Sequence, residues 1–113
     1  MTNPRDRILD RLASGKDTPV VGRLRTPDGC LCFQGVIADE YIRETGHARW
    51  GRLDTSLGPV TALEMPDGTT STGWLPGEIE DWSGFTDDEI STGTSMNDSG
   101  DPFPVIARAL RED

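Results

Sequence analysis

Residues 27–46, PDGCLCFQGVIADEYIRETG, decide how this chain is expected to fold. They open with turn chemistry, because Pro27 presets φ at the second turn position and Gly29 accepts a positive φ. The runs on either side of the turn, 19–25 and 29–33, are rich in apolar and β-branched residues. Two such runs around a short turn predict a β-hairpin.

The second part of this stretch changes to a helical pattern. From residue 34 the apolar side chains recur about every 3.6 positions, which predicts a helix over 34–45 that ends at Gly46. Gly35, near the start of this helix, predicts a place where another backbone comes close, because an ordinary side chain there would cost less conformational entropy.

A further helix is predicted at 4–14, before this stretch. Asn3 is a suitable N-cap, Pro4 suits the first helical position and Gly15 suits the left-handed C-terminal position. The charged residues of the helix are expected to face solvent: Arg5, Asp6, Arg7, Asp10 and Arg11.

After Gly46 the pattern predicts short strands at 48–53 and 59–65, followed by a second Pro-Asp-Gly turn and a return strand at 69–75. A short helix from 75 to 82 is then expected to stop at Gly84.

The last third of the chain carries two helix starts. Thr86 and Glu89 have the spacing of a capping box, with at most one or two helical turns expected after it. The polar run at 91–100 predicts a loop. Asp101 is predicted to cap a final helix over 102–111, whose apolar stripe is Phe103, Ile106, Ala107 and Leu110.

Together these elements predict an α+β fold in a single domain spanning 1–113. A small antiparallel sheet of two β-hairpins is expected to pack against three main helices, at 4–14, 34–45 and 102–111.

Charge is unevenly distributed along the chain. The formal net charge is −9, and it divides into +2 for residues 1–52 and −11 for residues 53–113. Because phosphates repel an acidic surface, direct nucleic-acid binding through the second half is disfavoured, whereas a basic protein surface would be attracted. A solvated face that serves solubility is the simpler interpretation and the favoured one.

The chain starts with MTNPRDR and lacks an apolar signal-peptide core or a run long enough to span a bilayer. We therefore expect a cytoplasmic protein without membrane contact. In that compartment Cys30 and Cys32 are expected to be reduced thiols.

Three segments resemble motifs of a family of small uncharacterised bacteriophage and prophage proteins, which carry an FCCLGVLCDL-like run, an LPxEVxxWLG-like helix and a closing NDxGxSFxEIA-like segment. The matching residues are Cys32, Gly35, Val36, Ile37 and Asp39; Leu75, Pro76, Glu78, Ile79 and Trp82; and Asn97, Asp98, Gly100, Phe103, Ile106 and Ala107. The resemblance implies a phage-encoded accessory protein, located in the host cytoplasm, and it carries no established activity.

The departures from the family pattern argue against a metal site. Phe33 and Ala38 stand where the pattern has further cysteines, and neither side chain can ligate a metal. Cys32 is therefore interpreted as a small buried apolar residue.

Catalytic chemistry has few candidate groups. Cys30 and Cys32 could form a metal pair, a redox pair or a nucleophile with His47 as base, but His47 is the only histidine and a zinc site needs four ligands. Structural thiols and an exposed or helix-capping His47 are the simpler interpretation. We predict no catalytic residues, no metal and no cofactor.

Candidate binding residues lie in the second half of the chain: Asp87, Asp88, Glu89, Asn97, Asp98, Asp101, Trp74 and Trp82. The three consecutive acids fit helix capping better than cation binding, because they do not face one point. Residues 97–101 resemble part of a calcium loop, but they lack its closing glutamate, and a tight turn into a capped helix is the preferred interpretation. Exposure of two of the three tryptophans would favour a binding face.

The leading hypothesis is a non-enzymatic phage protein that binds a host protein, in host takeover or counter-defence. The alternative is a small-ligand or nucleotide-binding protein that uses the helix start near residues 97–101. A third hypothesis, a cysteine-dependent enzyme, has the least support from the residues.

Overall fold

The computed structural model describes residues 3–112. Within that range the chain forms five helices and one three-stranded antiparallel sheet, which confirms the predicted α+β class. In chain order the elements are α1 (Pro4–Ser14), α2 (Phe33–Thr45), β1 (Arg49–Thr55), β2 (Gly58–Glu64), β3 (Thr70–Ser71), α3 (Gly77–Ser83), α4 (Asp87–Asp98) and α5 (Phe103–Arg111).

Helix α1 has the predicted bounds and caps. The Asn3 side chain accepts a hydrogen bond from the Asp6 N–H at 2.8 Å, and Gly15 closes the helix at φ +67°. The prediction that every charged residue of α1 faces solvent is wrong for Arg11, which is buried. Its guanidinium lies among carboxylates of the 17–40 region, which make its burial tolerable.

The hairpin predicted at 19–25 and 29–33 does not form. The turn is present, with Thr26 N–H bonded to Cys30 C=O at 2.9 Å, but the flanking runs make only isolated bridges at Leu31. Leu24 instead donates its N–H to Thr72 C=O at 2.7 Å, while its own C=O accepts from Cys32 N–H at 3.1 Å, so the backbone bonds of this segment are divided between the two runs and the chain near residue 72. The sheet is therefore a β1-β2-β3 meander, whose two hairpins, β1-β2 and β2-β3, share β2 and do not include residues 19–33.

Helix α2 begins one residue earlier than predicted and ends at Gly46, at φ +69°. A Cβ on Gly35 would lie 1.9 Å from the Leu24 carbonyl oxygen, which confirms that another backbone approaches at this position. Six residues of α2 are buried, so this helix forms the centre of the core.

The two strands β1 and β2 confirm the predicted strands to within two residues at each end. The return strand is much shorter than predicted, because the chain turns immediately after Ser71, whose hydroxyl donates to Trp74 C=O at 2.6 Å.

Helix α4 is longer than predicted, and the loop expected at 91–100 is helical as far as Asp98. Contacts with α2 explain the extension, since Gly93 lies against the Phe33 ring and the buried Asn97 accepts a hydrogen bond from Phe33 N–H at 2.8 Å. Tertiary packing here overrides weak helix propensity.

Helix α5 buries the predicted stripe of Phe103, Ile106, Ala107 and Leu110. The predicted Asp101 cap is wrong, because Pro102 holds the N-cap position and no side chain caps the helix. No helix within residues 3–112 combines the length and apolar character needed to cross a bilayer.

Candidate functional site

Helix α3 and the first turn of α4 carry five carboxylates, and we call them the acidic face: Glu78, Glu80, Asp81, Asp87 and Asp88. Among them, Glu80 interacts with Asp87 and with Asp81. Four are exposed and Glu80 is half-buried. None of the five forms a salt bridge with any residue in the range 3–112. The sequence explains this, because no Lys or Arg occurs between residues 53 and 107.

A tight connection holds the two acidic helices beside each other. Gly84 ends α3 at φ +82°, and the next residue, Phe85, is buried in the core. Thr86 then begins α4 with both hydrogen bonds of the predicted capping box, to and from Glu89. Acids at the N-terminal turns are favoured by the helix dipole, which offsets part of their mutual repulsion.

Glu89 differs from its acidic neighbours because its carboxylate is fully engaged. One oxygen accepts the Thr86 N–H at 3.0 Å and the other accepts a hydrogen bond from Arg5 of α1. The pKa of Glu89 is lowered, mainly by the hydrogen bond from Arg5. This predicted binding residue therefore joins α4 to α1, and its carboxylate has little capacity left for a partner.

Glu80 and Asp87 form a carboxyl pair across the connection between α3 and α4. The pKa of Glu80 is raised, first by its side-chain hydrogen bond with Asp87 and then by burial and the negative charges of Asp87 and Asp81. Charged carboxylates held this close repel each other. A cation docked between them would remove that cost.

A shallow groove of about 340 Å³ runs beside this pair and along α4, and its floor includes Gln34, Ile90 and Thr94. Gln34 fixes this floor, because its amide donates to Thr94 Oγ1 at 2.9 Å and accepts from Leu75 N–H at 2.8 Å. The sequence analysis missed Gln34 and Glu80 as site residues. Glu80 was detectable as an acid seven residues before Asp87 across a predicted helix break, whereas no sequence pattern marks Gln34.

The tryptophans contribute unequally to this region. Trp82 is half-buried and packs edge-on against Tyr41, with ring centroids 5.2 Å apart. The Tyr41 hydroxyl donates to Glu78 at 3.0 Å, and burial, followed by this carboxylate, raises the pKa of Tyr41. Trp74 is 53% exposed, and Trp50 is half-buried, so one tryptophan presents most of its ring to solvent.

The predicted binding residues near the end of α4 lie apart from the acidic face. Asp98 is eleven residues after Asp87 on one helix, a separation of roughly 16–17 Å along the helix axis. Asn97 is 2% exposed and its side-chain oxygen is bound to Phe33 N–H. Asp98 is exposed and Asp101 is half-buried in the segment before α5. The structure therefore groups Asp87 and Asp88 with Glu80, and not with residues 97–101.

Cys32 occupies a structural position as the N-cap of α2, where its sulfur accepts a hydrogen bond from Gly35 N–H at 3.3 Å. Burial is the main reason that the pKa of its thiol is raised, which disfavours the nucleophilic thiolate. Cys30 and Cys32 are both free thiols, and His47 is exposed.

A second groove, of about 430 Å³, lies at the end of the sheet beside His47 and Met65. The charged residues on its wall, Arg49 and Glu64, neutralise each other in a salt bridge of 2.7 Å. Within the described part of the chain, no three His, Cys, Asp or Glu side chains are grouped to hold a metal ion. The acidic face is thus the stronger candidate for recognition of a charged partner.

No protein-family model, curated protein or solved structure matches this chain. A functional inference must therefore come from the chemistry of the acidic face and from the motif resemblance.

Proposed function

We propose that this chain is an accessory protein that acts without catalysis, by docking a basic surface of another protein on its acidic face. The observation that carries the proposal is the group of five carboxylates that have no cationic partner within the described residues. The resemblance of three motifs to phage proteins supports a host protein as the partner, in host takeover or counter-defence.

The electrostatic argument starts from the free chain. Glu80 and Asp87 repel each other when both are ionised, and no Lys or Arg of the second half is near enough in sequence to relieve them. An Arg or Lys side chain from a partner would turn this repulsion into attraction on binding. Binding of this kind is steered by charge and weakens as salt rises.

The groove beside the pair supplies the remaining contacts. Ser91 and Thr94 offer hydroxyl groups to an incoming side chain, and the largely buried Ile90 contributes a small apolar part of the wall. Because Gln34 and α2 hold this floor in place, the groove is formed before a partner arrives. Preformed sites lose less conformational entropy on binding.

The test uses three forms of the full chain: the wild type, a variant of the acidic face and a matched control variant. Host proteins that each form captures at physiological salt are identified, and their affinities are measured after purification. The face variant Glu80→Gln, Asp81→Asn, Asp87→Asn and Asp88→Asn removes four charges from the acidic face. We expect it to bind the partner at least tenfold more weakly, since interfacial charge pairs contribute roughly 1.5 kcal/mol or more each when close.

The matched control removes four charges elsewhere, by Asp6→Asn, Asp98→Asn, Asp101→Asn and Glu112→Gln. None of these four residues is in a salt bridge among residues 3–112, so the two variants differ in the position of the change and not in net charge. Equal loss of binding in both variants would indicate general attraction by net charge and would overturn the proposed site. Full binding by the face variant would overturn it as well.

A further inference from the structure

Strand β1 leaves one edge of the sheet open. The strand order is β1-β2-β3, so β1 is paired with β2 on one side alone. Its residues from Arg52 to Thr55 are all exposed, and the two turn residues that follow are exposed too. An open edge presents backbone N–H and C=O groups that can pair with another strand.

Hydrogen bonding elsewhere in the sheet shows which backbone groups of β1 face this edge. Met65 N–H donates to Thr69 C=O at 2.9 Å, which continues the β2–β3 ladder. Because backbone groups alternate sides along a strand, odd-numbered residues of β2 bond to β3 and even-numbered ones bond to β1. Those even-numbered residues lie opposite odd-numbered residues of β1. The N–H and C=O groups of Trp50, Arg52 and Asp54 therefore point outward from the sheet edge.

The side chains along this edge are arranged as a self-complementary set. Arg52 and Asp54 share one face and form an exposed salt bridge, with Nε and Oδ1 3.0 Å apart. Leu53 lies on the other face, is 39% exposed, and stands opposite Val60 of β2. When two copies run antiparallel, the order basic, apolar, acidic in one strand lies opposite acidic, apolar, basic in the other.

We propose that two copies of this chain dimerise by antiparallel pairing of their β1 edges, across a twofold axis at Leu53. Arg52 of each copy then lies opposite Asp54 of the other, at positions where both backbones point across the interface. The two Leu53 side chains meet on the other face and extend the apolar contact with Val60 in both copies. The product is a continuous six-stranded sheet.

Charge selects this register over its neighbours. A twofold axis perpendicular to the sheet pairs residues whose side chains lie on the same face. Shifting this axis by one residue centres the strand pair on Arg52 or on Asp54. The first places two Arg52 side chains opposite each other and the second places two Asp54 side chains opposite each other. Like charges directly opposite destabilise a strand pair, whereas opposite charges stabilise it. The pairing is independent of the acidic face and does not rest on its proposed function.

Charge reversal on the full chain tests the dimer, with mass measured by sedimentation equilibrium from about 1 μM to 0.5 mM, a range that spans weak strand-mediated association. The wild-type chain is expected to show a monomer–dimer equilibrium. Arg52→Asp or Asp54→Arg alone puts like charges opposite each other twice, so each should weaken dimerisation roughly tenfold or more. The double variant R52D/D54R restores opposite charges, and its dissociation constant should return to within about threefold of wild type.

Two controls keep the test specific. Arg23→Asp makes the same charge change at an exposed residue away from β1 and should leave dimerisation unchanged. Thermal unfolding of every variant checks that the fold is intact, which is expected because Arg52 and Asp54 are 72% and 78% exposed. A wild-type chain that stays monomeric to 0.5 mM would overturn the proposal, since its edge would then be protected by its charges. A dimer that ignores the single reversals, or that the double variant does not restore, would also overturn it.

Discussion

Carboxylates in the two halves of the molecule are held in opposite ways. In the first half, Asp17, Asp39 and Glu40 surround the buried Arg11, at 2.8, 2.8 and 3.3 Å from its nitrogens. In the second half, the carboxylates of the acidic face have no cation near them among the described residues. The same residue types thus stabilise the fold in one region and remain available to a partner in the other.

The Arg11 cluster also shows how the first half is tied together. Asp39 accepts hydrogen bonds from Trp50 Nε1 at 2.8 Å and from Arg11, and it pairs with Arg43 on its own helix. These contacts connect α1, α2 and β1 at one carboxylate. The acidic face has no equivalent centre. We therefore expect substitutions at the Arg11 cluster to lower the free energy of unfolding by a large amount and substitutions at the acidic face to raise it slightly.

The largest effect is expected from Arg11→Met. The substitution keeps much of the side-chain volume but leaves Asp17 and Glu40 without a salt-bridge partner and Asp39 with Arg43 alone. We expect a loss of about 2–4 kcal/mol in the free energy of unfolding. Urea unfolding at pH 7 measures it.

Arg49→Met is the matched control, because Arg49 pairs with Glu64 while 80% of its side chain is exposed. An exposed pair contributes about 1 kcal/mol or less. If the two substitutions cost the same, Arg11 does not hold the first half together.

A smaller effect is expected from Asp39→Asn, which keeps an acceptor for Trp50 and removes the charge. Burial alone would raise the pKa of Asp39, but the hydrogen bonds from Trp50 and Arg11 and the positive charges of Arg11 and Arg43 outweigh it, so this pKa is lowered. At pH 7 the loss should be about 1.5–3 kcal/mol, the range for hydrogen bonds to a charged group.

The pH dependence of that loss has a definite sign. Because the pKa of Asp39 is lower in the folded state, its charge stabilises the fold at pH values above the unfolded-state pKa of about 3.9. This stabilisation disappears as the pH falls through the folded-state pKa. The difference in unfolding free energy between wild type and Asp39→Asn should therefore shrink between about pH 5 and pH 3. A difference that stays constant over this pH range would show that the pKa of Asp39 is not lowered in the folded state.

Local signals in the sequence predicted the helix ends well, because each depends on a few adjacent residues. Asn3 and Gly15 bound α1, Gly46 ends α2, and Thr86 begins α4 with its capping box, all as predicted. Gly35 also identified a close backbone contact correctly.

Features that depend on distant contacts were not predictable in this way. The run around Leu24 looks like a strand, but it bonds to Thr72, which is 48 positions later. The end of α4 looks like a loop, but Asn97 is fixed by its bond to Phe33. For the candidate site, composition located the acids in the second half, whereas the pairing of Glu80 with Asp87 required the fold.

The smallest effect, and the opposite sign, is expected for Glu80→Gln. The pKa of Glu80 is raised in the folded state. Its contribution to stability is therefore fully present below the unfolded-state pKa of about 4.3 and is lost as the pH rises through the folded-state pKa. Removing the charge should stabilise the chain at pH 7 by about a few tenths of a kcal/mol, because Asp87 is exposed and Glu80 is only half-buried, so solvent screens their repulsion. Unfolding measured at pH 4 and pH 7 should show no difference at the lower pH and a small gain at the higher one. A loss of stability at pH 7 would mean that Glu80 has a stabilising role in the free chain. A gain, combined with weaker capture of the partner, would identify the acidic face as a surface that sacrifices stability for binding.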